Sequence, residues 1–315
     1  MHIANPIYDV AFRYLMADKR AAKVLISAII GEKIETLDFS AQERPIPRNI
    51  PGKELAGAIA MTVARYDFSA QIKTADGRLK SVEIELQKAK LPSDILRFRN
   101  YIGMQYQEDG NTYTDEKGEK QGRDLYFIFI LGYDVGAKGC PVIRYDGKAT
   151  DVTTGESFRN EFAESLHHRS WIIQINQLKE RRRNDLEKLL SIFDQSQKFV
   201  GDKHFLDVEE DDTPGMPEGY AYLLRCLRKA GETNQVRKIM TDEDFYLNDL
   251  RDSVELIGKQ KRALAEKDEA LAEKSKALAE QEKANERKNI VIEEKDKTIE
   301  ALRKELQALR KPAAK

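Results

Sequence analysis

The sequence predicts an α/β domain, a mixed sheet flanked by helices, followed by a long C-terminal α-helical coiled coil. Two observations predict the domain. The stretch "RYDFSAQIKTADGRLKSVEIELQK" alternates polar and apolar residues around Asp76-Gly77, and "LYFIFILGYDV" and "SWIIQINQL" are near-continuous apolar runs, as in strands buried on both faces. Helical spacing fills the intervals between them. A third observation predicts the C-terminal helix. From Leu250 the chain becomes a seven-residue repeat of Ala, Leu, Glu and Lys, with one heptad position taken in turn by Leu250, Ile257, Leu264, Leu271 and Leu278.

In order, "PIYDVAFRYLMADKRAAKVLISAIIGE" places Val10, Ala11, Tyr14 and Leu15, then Val24, Leu25 and Ile29, at helical spacing, which gives two short helices with a break near Asp18. The alternating hairpin follows. After Pro92, "SDILRFRNYIGMQYQEDG" reads as a helix that Ser93 can cap and Gly110 can end. The two apolar strands complete a domain over residues 1–200. Residues 201–249 open on "VEEDDTPGMPEG", an acidic Pro/Gly-rich break, and read as a linker with short helices at "YAYLLRCLRKAG" and near 234–247. Residues 250–311 form the long helix and 312–315 a tail. Asn285, Ile292, Ile299 and Leu306 continue its seam, whereas the second seam position is polar until Leu302 and Leu309, so Ala265, Ala272 and Ala279 would have to assist pairing. A single helix laced by i,i+4 ion pairs is the alternative.

Composition narrows the class. A hydrophobic content of 41% suits a globular protein, and 34% charged residues with a formal net charge of −1 name no partner. Cys140 and Cys226 lie far apart, and His2, His167, His168 and His204 lack metal-ligand spacing, so a disulfide framework or zinc site is not expected. The N-terminus has no basic start followed by an apolar run, and no segment reaches the roughly 18 apolar residues of a membrane span. A reduced, cytoplasmic protein with no membrane partner is expected.

The hairpin fixes its own register. A two-residue turn would set Asp67 opposite Leu86 and pair every apolar side chain with a polar one. A three-residue loop, Ala75-Asp76-Gly77, with Gly77 left-handed, pairs like with like: Phe68 with Ile84, Ala70 with Val82 and Tyr66 with Leu86 on one face, and Asp67 with Glu85, Ser69 with Glu83 and Gln71 with Ser81 on the other. Two opposed carboxylates about 5 Å apart at their β-carbons repel unless a cation neutralises them. Mg²⁺ suits such a pair, since it uses one or two carboxylates and leaves room for water and phosphate oxygens, and Gln87 on the same face could orient either. Against this stands a plainer reading, the wet face of an amphipathic hairpin with Lys73 and Lys80 nearby.

These residues resemble the PD-(D/E)XK nuclease family transposases, or recombination-promoting nucleases. "PIYDVAFRYLM" looks like that family's Asp-x-x-Phe helix, "YDF...ADGRLKSVEIELQ" like its Asp strand, Gly turn and Ile-Glu-x-Gln strand, and "RFRNY" like its Arg-x-x-x-Tyr helix. The likeness covers roughly residues 5–200. It implies a restriction-endonuclease-like mixed sheet and a Mg²⁺- or Mn²⁺-dependent cut in DNA. Asp67 and Glu85 would be the metal-binding acids, with the Leu86 carbonyl a further ligand and Gln87 where the superfamily name has lysine. Lys73, or Lys88 and Lys90, would then have to supply the missing charge. Asp9 either approaches the site or only favours the first turn of its helix. Arg97 and Tyr101, at i and i+4, either hold a DNA phosphate and pack beside it or serve the core. The cluster "KERRR", Lys179 to Arg183, is either a phosphate contact or a solvated loop. Two functions follow: a DNA endonuclease, dimeric through its C-terminal helix so that two centres meet one DNA, or an inactive nuclease-like scaffold that recruits partners through that helix.

Overall fold

A computed structural model of the chain describes residues 1–40, 43–47, 61–65, 67–91, 94–179, 181–208 and 215–309. It divides into two compact units, Met1–Leu247 and Asn248–Lys315.

The first unit is built on a six-stranded mixed sheet. Its strands run in the order Val142–Tyr145, Arg169–Gln174, Asp124–Leu131, Leu79–Gln87, Phe68–Thr74, Ile34–Phe39. The three central neighbours, Arg169–Gln174, Asp124–Leu131 and Leu79–Gln87, are parallel; the outer pairings are antiparallel. Interior position explains why "LYFIFIL" and "SWIIQ" carry so few polar residues.

The hairpin has the like-with-like register: Phe68 faces Ile84, Ser69 faces Glu83, Ala70 faces Val82 and Gln71 faces Ser81. Gly77 sits at φ +84°, where an L side chain would be strained, and its N–H donates to the Thr74 carbonyl at 2.8 Å. Tyr66 lies outside the described residues. The strand proper begins at Phe68, so Asp67 lies in a bend one residue before the ladder.

Helices Asp9–Met16 and Lys19–Ile30 meet at Asp18, whose carboxylate accepts from the Arg20 and Ala21 amides at 2.9 Å and from the Tyr222 hydroxyl at 2.7 Å. Their apolar stripes, Phe12 and Leu15, then Leu25, Ile26 and Ile29, join Phe68, Ala70, Val82, Ile84 and Leu86 in one buried core. The opposite face of the sheet is also covered. Phe98, from helix Asp94–Gln107, packs on Phe129 at 4.9 Å between ring centroids. The register sets Phe127 and Phe129 on the same side as Glu83 and Glu85. The wet-face reading is thereby corrected: Ser69, Ser81, Glu83, Glu85 and Gln87 are all buried. Ser93 lies outside the described residues, and the helix ends at Gln107, with Gly110 in the 3-10 turn beyond it.

The segment expected as linker and short helices belongs largely to this core. Strand Phe205–Asp207 pairs antiparallel with His2–Ala4. Helix Tyr220–Glu232 buries Leu223, Leu224 and Leu227 completely. Residues 209–214, most of the acidic break, lie outside the described residues. The expected short helix near 234–247 and the long helix from 250 are one continuous helix, Asn234–Leu309, whose first turns bury Val236 and Met240. The domain boundary expected near residue 200 therefore moves to Leu247. In the second unit Ile257, Leu264, Leu271, Leu278, Ile292, Ile299 and Leu306 are all exposed, and Glu255–Lys259 and Glu300–Lys304 form i,i+4 ion pairs along the helix surface. No helix among the described residues is long and apolar enough to cross a membrane.

Candidate active site

The hairpin acids, the first helix and the helix after the hairpin converge at the end of the sheet away from the Gly77 turn. Asp67 turns one carboxylate oxygen onto the Leu86 amide, 2.6 Å away, which draws its side chain to the strand that carries Glu85. Its other oxygen accepts from Arg13 at 3.3 Å. Arg13 also grips Asp9 at 2.6 Å, one helical turn earlier, and the Asp9 carboxyl is a hydrogen-bond neighbour of Asp67. Of the two readings of Asp9, the structure therefore brings it to the acids. The Asp9 amide in turn donates to Glu243 at 3.0 Å, an acid from the root of the long helix.

On the covered face Glu85 pairs with Arg97 at 3.1 Å, and Arg97 also meets Asp94 at 3.6 Å and donates to the Gln87 side-chain oxygen. Gln87 donates its amide to the Ala89 carbonyl at 2.7 Å. Asp94 accepts from the Tyr133 hydroxyl at 2.9 Å. Tyr101 is half-buried one turn after Arg97 on the same helix. Arg97 thus has the structural carboxylate partner that the core reading required, placed beside the acids.

The electrostatics follow from this crowding. Burial raises the Asp67 carboxyl and the Asp9 charge raises it further, with the Leu86 amide and Arg13 pulling the other way, so that it titrates at about 7. Burial, then Asp67, push Glu85 well above the ordinary carboxylate range despite Arg97. Glu85 Oε2 and Arg97 Nε are buried without a hydrogen-bond partner. Asp67 and Glu85 interact strongly enough to titrate together.

The expected basic substitutes are elsewhere. Lys73 is exposed six residues along the strand from Asp67, roughly 20 Å away at the strand rise. Lys80 points to the other face, buried against Glu32. Lys88 lies over the Tyr8 ring, 3.2 Å from its centroid, and binds Asp244 at 2.6 Å. Lys90 is exposed. Burial works against the Asp244 charge, but Lys88 and Lys203 hold that carboxyl down to about 2, whereas burial lifts Glu243 to about 7. The "KERRR" arginines are tied internally: Arg181 to the Gly139 carbonyl at 3.1 Å, Arg182 to Asp194 at 3.2 Å and Arg183 to Glu187. His168 lies just before an interior strand, its Nδ1 3.0 Å from the Tyr106 hydroxyl.

Sequence reasoning missed Arg13, which bridges Asp9 and Asp67; its i,i+4 spacing from Asp9 was the available signal. It also missed Glu243 and Asp244, whose contacts to Asp9, Tyr8 and Lys88 span more than 150 residues. No family model matches the chain, and neither does any curated protein or solved structure. Among the described residues no group of three or more His, Cys, Asp or Glu side chains is arranged to hold a metal ion. The donor set to be tested is therefore the pair Asp67 and Glu85. Two carboxylates are enough for Mg²⁺, which keeps several waters, and Glu85 Oε2 is buried without a hydrogen-bond partner.

Proposed function

We propose that the chain is a metal-dependent DNA endonuclease of the recombination-promoting type, hydrolysing phosphodiester bonds at Asp67 and Glu85 on a restriction-endonuclease-like sheet. One observation carries the reading: a buried carboxylate oxygen without a partner, Glu85 Oε2, beside a second carboxyl raised to about 7. Both carboxyls stay raised although Arg13 and Arg97 meet them, which favours a further cation beside Glu85 Oε2. Asp67, Glu85 and the Leu86 carbonyl would hold Mg²⁺ or Mn²⁺, which when bound supplies an acidified water and charge stabilisation at the phosphate. Asp9 keeps Arg13 oriented toward Asp67. Arg97, displaced from Glu85, is within one side chain's reach of a phosphate beside the pair and carries the fork that fits it. Gln87 orients water or a phosphate oxygen. Because a proton and the metal compete for the raised Asp67 carboxyl, metal affinity should weaken as pH falls. The exposed Leu and Ile seam of the long helix suits a coiled-coil dimer that offers two such centres to one DNA.

A second reading has its own support. Arg13 and Arg97 already neutralise the acids, and Lys88 is engaged by Asp244, which is what a nuclease-like scaffold without catalysis would show. Supercoiled plasmid incubated with the full chain and Mg²⁺ or Mn²⁺ separates the two. Nicking that disappears in Asp67→Ala and Glu85→Ala supports the nuclease; nicking that persists in both variants assigns it elsewhere; no nicking with either ion favours the scaffold.

A further inference from the structure

The hairpin carries a second polar centre at its turn, on the other face of the sheet and roughly 20 Å from the acids by the strand rise. A cleft of about 490 Å³ opens there beside Thr74, Ala75 and Asp76. Its lining holds five basic side chains, Lys33, Arg78, Lys80, Arg159 and Arg169, against two acids, Glu32 and Asp76.

Three of the five are matched. Arg78 meets Asp76 at 3.4 Å, Arg159 meets Glu164 at 3.1 Å, and buried Lys80 meets Glu32. The other two make no ion pair with a carboxylate. Among the described residues the Lys33 ammonium has neither a hydrogen bond nor an ion pair, and Arg169 donates only to the Tyr126 phenol, at 2.7 Å. That phenol donates to Glu32 at 2.9 Å, and the Arg169 guanidinium lies 5.5 Å from the Tyr126 ring centroid. Arg169 is thus held in place by a phenol and bonds no carboxylate, although Asp124 and Asp146 lie near enough to favour its charge. A neighbouring cavity of about 280 Å³ shares Glu32 and Arg169 but sets Asp124, Asp146 and Glu164 against Arg144 and Lys148, so its lining carries no such excess of basic side chains.

We propose that this cleft binds a compact phosphate-bearing anion, with Lys33 and Arg169 as its charge-matching contacts. Two cations that bond no carboxylate, in a lining of five basic side chains and two acids, suit a multiply charged group, and a guanidinium fork fits phosphate oxygens in pairs. Arg78 and Arg159 sit in exposed ion pairs, which are weak and can be exchanged for ligand contacts. The inference is independent of the nuclease reading, since none of these residues touches the acids.

The test is calorimetric titration of the full chain with inorganic pyrophosphate in metal-free buffer, where the acid pair has no ion to recruit phosphate. Saturable binding is expected, weakened about tenfold in Lys33→Ala and in Arg169→Gln, the loss of one charge-assisted contact, and unchanged in Lys148→Ala, an exposed cation of the neighbouring cavity. Lys33 is exposed, so its variant keeps the fold even if Arg169→Gln does not. A DNA duplex that displaces pyrophosphate identifies the phosphate source as nucleic acid, and one that does not identifies a small phosphorylated ligand. No binding, binding that both variants retain in full, or binding lost only in Lys148→Ala overturns the proposal.

Discussion

Replacing Asp67 by Asn probes the charge stored at the site. The Asp67 carboxyl moves from an ordinary value of 3.8 to about 7 on folding, because burial and the Asp9 charge outweigh the Leu86 amide and Arg13. A raised acid binds its proton more tightly in the folded state, so the stability it confers is complete below pH 3.8 and is lost as pH rises through about 7. A rise of that size corresponds to about 4 kcal/mol lost between about pH 4 and pH 8, shared with Glu85, whose carboxyl moves in the same direction. Asparagine cannot ionise, yet its side-chain oxygen still accepts from Leu86. Urea unfolding of the full chain in EDTA, at steps across that range, should show the wild type weakening toward pH 8 and Asp67→Asn weakening by several kcal/mol less. Wild-type and variant curves of equal slope would refute the reasoning, since the buried charge would then carry no cost.

The remaining predictions test the architecture. Leu227→Ala removes a fully buried side chain and should destabilise the first unit by about 2–5 kcal/mol in the same unfolding assay; a cost near zero would return residues 220–232 to linker. Gly77→Ala forces a side chain into φ +84° and should cost about 1 kcal/mol while leaving the hairpin register intact by amide exchange. Ending the chain after Arg251 removes the exposed seam and should lower the mass measured by light scattering from dimer to monomer; an unchanged mass would exclude the helix from assembly.

How far the sequence could be read depended on whether the decisive neighbour was near in the chain. The hairpin register was legible because alternation and Gly77 both act across a three-residue loop, and the break at Asp18 because a capping aspartate follows one helical stripe and precedes another. The burial of Glu83 and Glu85 was not, since the cover comes from Phe127 and Phe129 on a parallel strand some forty residues on and from Phe98 on the intervening helix. Residues 201–249 read as a linker because "VEEDDTPG" punctuates the chain locally, whereas the partner of Leu206 is Ile3, at the opposite end of the sequence. At the candidate site, Asp67 and Glu85 were singled out from the hairpin alone. Their guanidinium partners were harder: Arg97 was noticed for its helical spacing to Tyr101, and only the folded chain sets it 3.1 Å from Glu85.

The most direct test of the central claim is a crystal of the full chain soaked in Mn²⁺ and measured at the manganese absorption edge. An anomalous peak within bonding distance of both Asp67 and Glu85, with Arg97 turned away from Glu85, is the predicted result. A map with both arginines still on their carboxylates and no peak there, at saturating Mn²⁺ and pH above 7, would contradict it.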